Sequence, residues 1–216
     1  MKVGTDGCLL GAWADADSPK RILDIGAGTG LISLMMAQRF TNAKIEAVEI
    51  GVECAAQCRD NISHSPWAER ITTHNSPIQE FEQQELFDLI VCNPPFFSNA
   101  FAAPNLERHT ARHDDSLSVE ELFSAVKKFL SPSGFFSIII PIDRMNDFVE
   151  VAKNQELFVN RKTSVKPTPS KASKRVLLSF CFNKSDFQET EMFIESSRGI
   201  YSEDFRSLLA DFYLNL

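Results

Sequence analysis

The sequence predicts an α/β fold, a doubly wound and mostly parallel sheet with helices on both faces. Three observations carry that expectation. Short apolar runs alternate with segments in which apolar residues recur at helical spacing. The first apolar run ends in the glycine-rich turn Gly26-Ala-Gly28-Thr-Gly30, and the fourth is stopped abruptly by Asn93-Pro94-Pro95.

Taken in order, Arg21–Ile25 reads as a buried strand and Leu31–Phe40 as the helix after it. Lys44–Glu49 is the second strand, Val52–Ile62 its helix, and Ile71–Asn75 a short third strand. Leu86–Cys92 is the fourth. Ser118, with Glu121 three residues on, forms the signature of a capping box and opens a helix to about Leu130. Pro132 and Gly134 are expected to break the chain before a fifth strand, Phe135–Ile140. A helix over about Arg144–Lys153, a last strand Arg175–Phe182 and a last helix Ser202–Tyr213 complete the pattern. Right-handed crossovers align the C-terminal strand ends along one edge, where ligands bind. Both unusual loops, after Ile25 and after Cys92, fall on that edge.

Length and composition suit a single domain over residues 1–216, with 44% hydrophobic residues and 18 Phe to build a core. The longest apolar stretch, Gly134–Pro141, is too short for a membrane span, so no membrane partner is expected. The segment Met1-Lys-Val-Gly-Thr-Asp-Gly7 lacks the apolar region of a secretory signal. Five scattered cysteines predict free thiols in a cytoplasmic protein. Neither Cys54/Cys58 nor His109/His113, each pair four apart, has the further ligands a zinc site needs, so no metal is expected. His64 and His74 are read as structural or exposed, and Trp13 and Trp67 as core. The net charge of −7, taken as a sum, argues against nucleic acid.

Glycines at a strand–helix junction permit a tight turn and let a ligand approach the backbone. Glu49 ends the next strand, 19 residues after Gly30, where a carboxylate can accept hydrogen bonds from both ribose hydroxyls. Together these predict an adenosine-containing ligand. The dinucleotide fingerprint is G-x-G-x-x-G with a pyrophosphate at the helix N-terminus. Here Leu31 stands where its third glycine would fall, and G-x-G-x-G better suits S-adenosylmethionine, which carries no phosphate.

Asn93-Pro94-Pro95-Phe96 supplies the chemistry. The lone pair of an exocyclic amine is delocalised into its ring, which makes methylation difficult. Two acceptors binding the amino hydrogens draw the nitrogen toward sp³ geometry and aim the lone pair at a sulfonium methyl. The Asn93 side-chain oxygen and the Pro94 carbonyl are such acceptors, and the prolines stiffen the turn because their φ angles are fixed. Phe96 offers a face for a planar base. Catalysis is then mostly positioning of an in-line transfer, with the proton released to solvent.

At these residues the chain resembles the bacterial tRNA (adenine-37-N6)-methyltransferase family acting on a valine tRNA. That family lies within the class I S-adenosylmethionine-dependent methyltransferases. Met1–Trp13, Asn61–Ile71, Ala111-Arg-His113 with Leu117-Ser118, and Tyr201 with Phe212-Tyr213 are similar to further family segments. The resemblance implies a Rossmann-like doubly wound sheet, mostly parallel with an antiparallel strand near the C-terminus. It also implies cofactor contacts from Asp24, Gly26, Gly28, Gly30, Glu49 and Asn93, and amine positioning by Asn93 and Pro94. Two departures stand out. Pro77 occupies the position where relatives place an Asp on the cofactor adenine, so adenine is expected to be held by packing and backbone, with Asn75 or Ser76 as substitutes. Relatives also carry about twenty residues before the Met-Lys-Val signature, so the natural chain is expected to start upstream of Met1.

The tRNA must still be held. Residues 161–175 contain six cations (Arg161, Lys162, Lys166, Lys171, Lys174, Arg175) and no acid, so the rest of the chain carries −13. With Pro167 and Pro169, this reads as a loop gripping the RNA backbone by phosphate neutralisation, chiefly through Lys171, Lys174 and Arg175. Arg108 and Arg112, in the long stretch after Phe96, are further RNA candidates; Arg112 has the alternative of pairing with Asp114 or Asp115. A monomer is expected. Three rival functions share parts of this pattern. Guanine N2-methyltransferases of ribosomal RNA often place His where Phe97 stands. Glutamine N5-methyltransferases of release factors bring a helical N-terminal domain for which the stretch before Arg21 leaves no room. A non-enzymatic S-adenosylmethionine-binding scaffold would leave the Asn93 loop idle.

Overall fold

Among the described residues, eight strands form one sheet. The computed structural model describes residues 4–94, 117–184 and 187–214. The first half follows the expected alternation: β1 (Arg21–Ile25), α2 (Leu31–Arg39), β2 (Lys44–Val48), α3 (Val52–Ser63), β3 (Ile71–His74) and β4 (Phe87–Cys92). A helix precedes them, α1 (Thr5–Trp13), which the sequence reading did not assign. After β4 come α4 (Val119–Phe129), β5 (Leu130–Pro141), α5 (Met145–Asn154), β6 (Phe158–Lys166) and β7 (Arg175–Cys181). β8 (Gln188–Phe193), a small hairpin of β9 (Glu195–Ser197) and β10 (Ile200–Tyr201), and α6 (Glu203–Leu209) end the fold. Among the described residues, no helix is long and apolar enough to cross a membrane.

Strands β1 to β5 pair in parallel, and β7 runs antiparallel to both β5 and β6. β8 adds to β6 in parallel, so β7 alone runs against the rest of the sheet, as expected of an antiparallel strand near the C-terminus. The strand order is β3-β2-β1-β4-β5-β7-β6-β8, and it reverses between β1 and β4, where ligand crevices form in such sheets.

Each face of the sheet carries its own core. One packs α1, α2, α3 and α6 around Leu9, Leu10, Trp13, Met36 and Ile45. The other carries a phenylalanine cluster: Phe123 meets Phe136, Phe148 and Phe180 edge-on at centroid distances of 5.5, 6.2 and 5.2 Å. Such offset contacts suit the ring quadrupole better than face-to-face stacking. Trp13 is buried as expected, donating from Nε1 to Thr163 Oγ1 at 2.9 Å, whereas Trp67 is only half-buried. The α4 capping box forms as read: Glu121 N donates to Ser118 Oγ, and Ser118 N to the Glu121 carboxylate at 2.9 Å.

Three expectations are corrected. Pro132 and Gly134 do not break the chain; β5 begins at Leu130, and its register against β4 shifts between Phe87 and Leu89. A bulged strand tolerates a residue without an N–H, and Gly134 leaves room where a Cβ would lie 2.9 Å from the Phe87 carbonyl. The basic stretch 161–175 is not one loop, because Arg161–Lys166 belong to β6. Lys162 and Lys166 pair with Glu189 and Glu191 on β8 at 2.7 Å each, and Arg161 stacks over Trp13. The last helix spans only Glu203–Leu209, leaving Tyr201 in β10 and Phe212-Tyr213 beyond the helix end. β6 and β8 escaped notice because cations and glutamates alternate with few apolar residues, and two charged strands satisfy each other only once paired.

Candidate active site

Four loops leave the sheet at one level. Ile25 is in register with Val48 on one side and Cys92 on the other, and Val48 with His74. The next residues, Asn75, Glu49, Gly26 and Asn93, therefore follow the same register row on neighbouring strands. With about 4.8 Å between strands, Glu49 and Asn93 are roughly 10 Å apart across the crevice.

The glycine loop needs its glycines. Gly26, Gly28 and Gly30 have φ of 71°, 57° and 85°, in the left-handed region that L side chains rarely enter. Gly26 N and Ala27 N both donate to the Val48 carbonyl, tying the loop to β2. A Cβ on Gly30 would also lie 2.9 Å from Cys58 Sγ, so α3 packs directly against the start of α2. Asn61 of α3 donates to the Thr29 carbonyl at 2.9 Å and pins the loop from outside.

Glu49 joins the two loops on either side of it. One carboxylate oxygen accepts from Gly28 N and the other from Gly51 N, each at 2.7 Å. Each oxygen keeps a free lone pair, so these bonds orient the carboxylate without exhausting its capacity for ribose hydroxyls. Asn75 donates its amide to the carbonyls of Glu49 and Ile50 at 2.9 and 3.0 Å, which fixes the turn that carries Glu49. Its amide is thereby engaged with the backbone. Ile50 is 45% exposed beside the carboxylate and offers an apolar surface there. Pro77 opens a short 3₁₀ turn and has no polar side-chain group.

Asp24 lies beneath the loop and is fully buried. Oδ2 accepts a 2.6 Å hydrogen bond from Ser33 Oγ, whereas Oδ1 has no hydrogen-bond partner among the described residues. A buried acceptor left unpaired is costly, by about 1–3 kcal/mol, and a cationic donor on a ligand would relieve it. S-adenosylmethionine carries an ammonium group, so this orphaned oxygen and the glycine cradle fit that cofactor. Burial pushes the Asp24 carboxyl up to about 6, opposed by the Ser33 bonds and aided by the Glu49 charge. Burial likewise pushes the Cys92 thiol well above its ordinary range, so it is not a nucleophile.

The shifted carboxyl gives a prediction for the free protein. With a folded value near 6 against 3.8, the unfolded chain releases its proton first. This group's contribution is therefore most favourable below about pH 4 and is lost as pH rises toward 6 and beyond, by about 3 kcal/mol in all. Asp24→Asn should be more stable than wild type at pH 8 by up to about that amount. The gap should close by pH 4, as read by urea unfolding at both pH values.

At the end of β4, Asn93 and Pro94 stand beside the glycine loop, facing the first turn of α1. A Cβ placed on Gly7 would lie 3.7 Å from Asn93 Nδ2 and 3.1 Å from Leu31 Cδ2. Pro95, Phe96, Arg108 and Arg112 lie outside the described residues. Lys171 and Lys174 are exposed in the 167–174 connection between β6 and β7, on the same sheet edge. Arg175 is not free for RNA as expected: its Nε donates to Asp6 Oδ2 at 2.8 Å. The sequence reading also missed Ser33, Asn61 and Gly7, whose roles depend on residues from 9 to 86 positions away.

The model of the methyltransferase small domain family matches residues 7–143. The tRNA1(Val) (adenine(37)-N6)-methyltransferase of Phocaeicola vulgatus is 45% identical over 216 residues, covering all of this chain and 92% of that protein. The protein of the same description from Trichodesmium erythraeum is 44% identical, over 99% of this chain and 91% of its own. Among solved structures, a predicted O-methyltransferase from Agrobacterium tumefaciens superposes with a TM-score of 0.72 at 18% identity, covering 94% of this chain and 95% of that one. At such identity the likeness concerns the fold alone, which is that of class I methyltransferases.

Proposed function

The chain belongs to the methyltransferase small domain family, among the tRNA1(Val) (adenine(37)-N6)-methyltransferases, and from that premise we propose how its residues perform the reaction. The protein methylates N6 of adenine 37 in tRNA1(Val), using S-adenosylmethionine. The observation that carries the mechanism is the common register of Gly26, Glu49 and Asn93 at the strand-order reversal.

S-adenosylmethionine, when bound, supplies a methyl group activated by a cationic sulfur. Glu49 holds the ribose hydroxyls, the backbone of Gly26 to Gly30 lines the cradle, and Asp24 Oδ1 takes the ammonium. Adenine is held by packing, with Ile50 as one wall, because Pro77 offers it no acid. The Asn93 side-chain oxygen and the Pro94 carbonyl accept the two hydrogens of the target amine and orient its lone pair. Phe96 stacks on the base. No residue has to remove a proton before transfer, since the nitrogen becomes acidic only once methylated.

Lys171 and Lys174 neutralise phosphates of the bound tRNA, two to three strand steps and about 10–14 Å along the edge from Asn93. The whole chain acts as one domain and as a monomer in the cytoplasm. Lys171→Ala/Lys174→Ala should raise the tRNA Michaelis constant severalfold and flatten its dependence on salt. Unchanged tRNA affinity would remove these lysines from the interface, while S-adenosylmethionine binding serves as the control. The reaction itself is tested by methyl transfer to tRNA lacking N6-methyladenine, with ribosomal RNA and release factor as competing acceptors. Transfer to either competitor but not to tRNA would overturn the reading.

A further inference from the structure

We propose that the ion pair between Asp6 and Arg175 is a positioning device that holds the first turn of α1 against Asn93. This rests on the functional reading above, since it assigns Asn93 to the target amine.

The first turn of α1 lies beside the Asn93 amide: a Cβ added at Gly7 would be in van der Waals contact with Nδ2, at 3.7 Å. That turn lacks the usual anchor. Its N-cap is Gly4, which makes no side-chain hydrogen bond, and Gly4 and Thr5 are exposed while the helix from Gly7 onward is buried. An uncapped helix start frays readily. Here the missing restraint comes from across the sheet. Asp6, in the first turn, accepts from Arg175 Nε at 2.8 Å, with both side chains about three-quarters buried. An acid at this position also suits the helix dipole.

Arg175 is itself rigidly held. It opens β7, in register with Pro141 on one side and Val165 on the other. Its Nη1 donates to the Lys174 carbonyl, which also accepts from Ile142 N, and Lys174 N donates to the Val165 carbonyl. The anchor of α1 is thus the root of the segment that carries Lys171 and Lys174. Arg175, which its charge alone would assign to phosphate, is instead turned inward toward Asp6.

A small displacement of an orienting group lowers turnover steeply, by as much as about a hundredfold for 1 Å. Asp6→Ala and Arg175→Ala should therefore each lower kcat on tRNA by about ten- to a hundredfold. The double variant should lose no more than either single one, because the two residues act as a unit. Binding of tRNA should keep its wild-type salt dependence in all three, and Arg175→Lys should recover most of the turnover. Thermal unfolding and S-adenosylmethionine titration accompany each variant. If Arg175→Ala fails to fold, Asp6→Asn and Arg175→Gln carry the same comparison. Additive losses overturn the proposal. So does an Arg175→Ala protein that keeps kcat but binds tRNA more weakly with a salt slope reduced by about one, the mark of a lost phosphate contact. Wild-type turnover on the same tRNA separates the two readings: its absence overturns the function, whereas unchanged kcat in the variants beside an active wild type overturns only the positioning role.

Discussion

Asn93→Ala should lower kcat for tRNA methylation by at least about a hundredfold while leaving S-adenosylmethionine affinity within a few-fold of wild type. Losing one preorganised polar group at a reacting centre costs about 10²–10³ in rate. Asn93 supplies one of two acceptors that together reshape the target nitrogen, so the remaining Pro94 carbonyl cannot orient it alone. The substitution should be tolerated structurally, because Asn93 lies beyond the last residue of β4 and a shorter side chain only withdraws from Gly7 of α1. Single-turnover kinetics with saturating cofactor give the cleanest measurement. Full activity in this variant would remove Asn93 from the chemistry.

Glu49→Ala should weaken S-adenosylmethionine binding by about a hundredfold or more. Two losses combine. The ribose forfeits its acceptor, and the backbone N–H groups of Gly28 and Gly51 lose charge-assisted bonds of 2.7 Å each. The second loss loosens the glycine loop itself, whose three residues with positive φ depend on surrounding contacts to stay in place. Glu49→Gln separates the effects, since its single carbonyl oxygen can serve only one of the two loops. Its affinity should fall between wild type and Glu49→Ala in calorimetric titration. Equal binding by all three proteins would mean that neither ribose nor loop relies on this side chain.

The site was legible where local chemistry decides conformation. Gly26, Gly28 and Gly30 announce a turn that other residues cannot make, and the capping box at Ser118 and Glu121 is written within four residues. Strands β1, β2 and β4 are short runs dominated by buried apolar residues, so their limits were readable to within a residue. β6 and β8 were not, since their cations and carboxylates resemble a solvated loop until cross-strand pairing neutralises them. The net charge of −7 misled for a related reason. A sum is blind to position: the fold commits Lys162, Lys166 and Arg175 to carboxylates and leaves Lys171 and Lys174 exposed together on the edge that carries the site.

By itself, the sequence determined the alternation of strands and helices, the glycine cradle, the acid that follows β2 and the Asn-Pro turn that follows β4. All of these express conformational preferences or chemistry carried by a few adjacent residues. Only the tertiary structure decided that Gly26, Glu49 and Asn93 share one register row, that Asp24 keeps a buried oxygen unpaired among the described residues, and that Arg175 faces Asp6 across 169 positions. Those outcomes depend on which chain segments meet, and burial and charge pairing take their values only once they do.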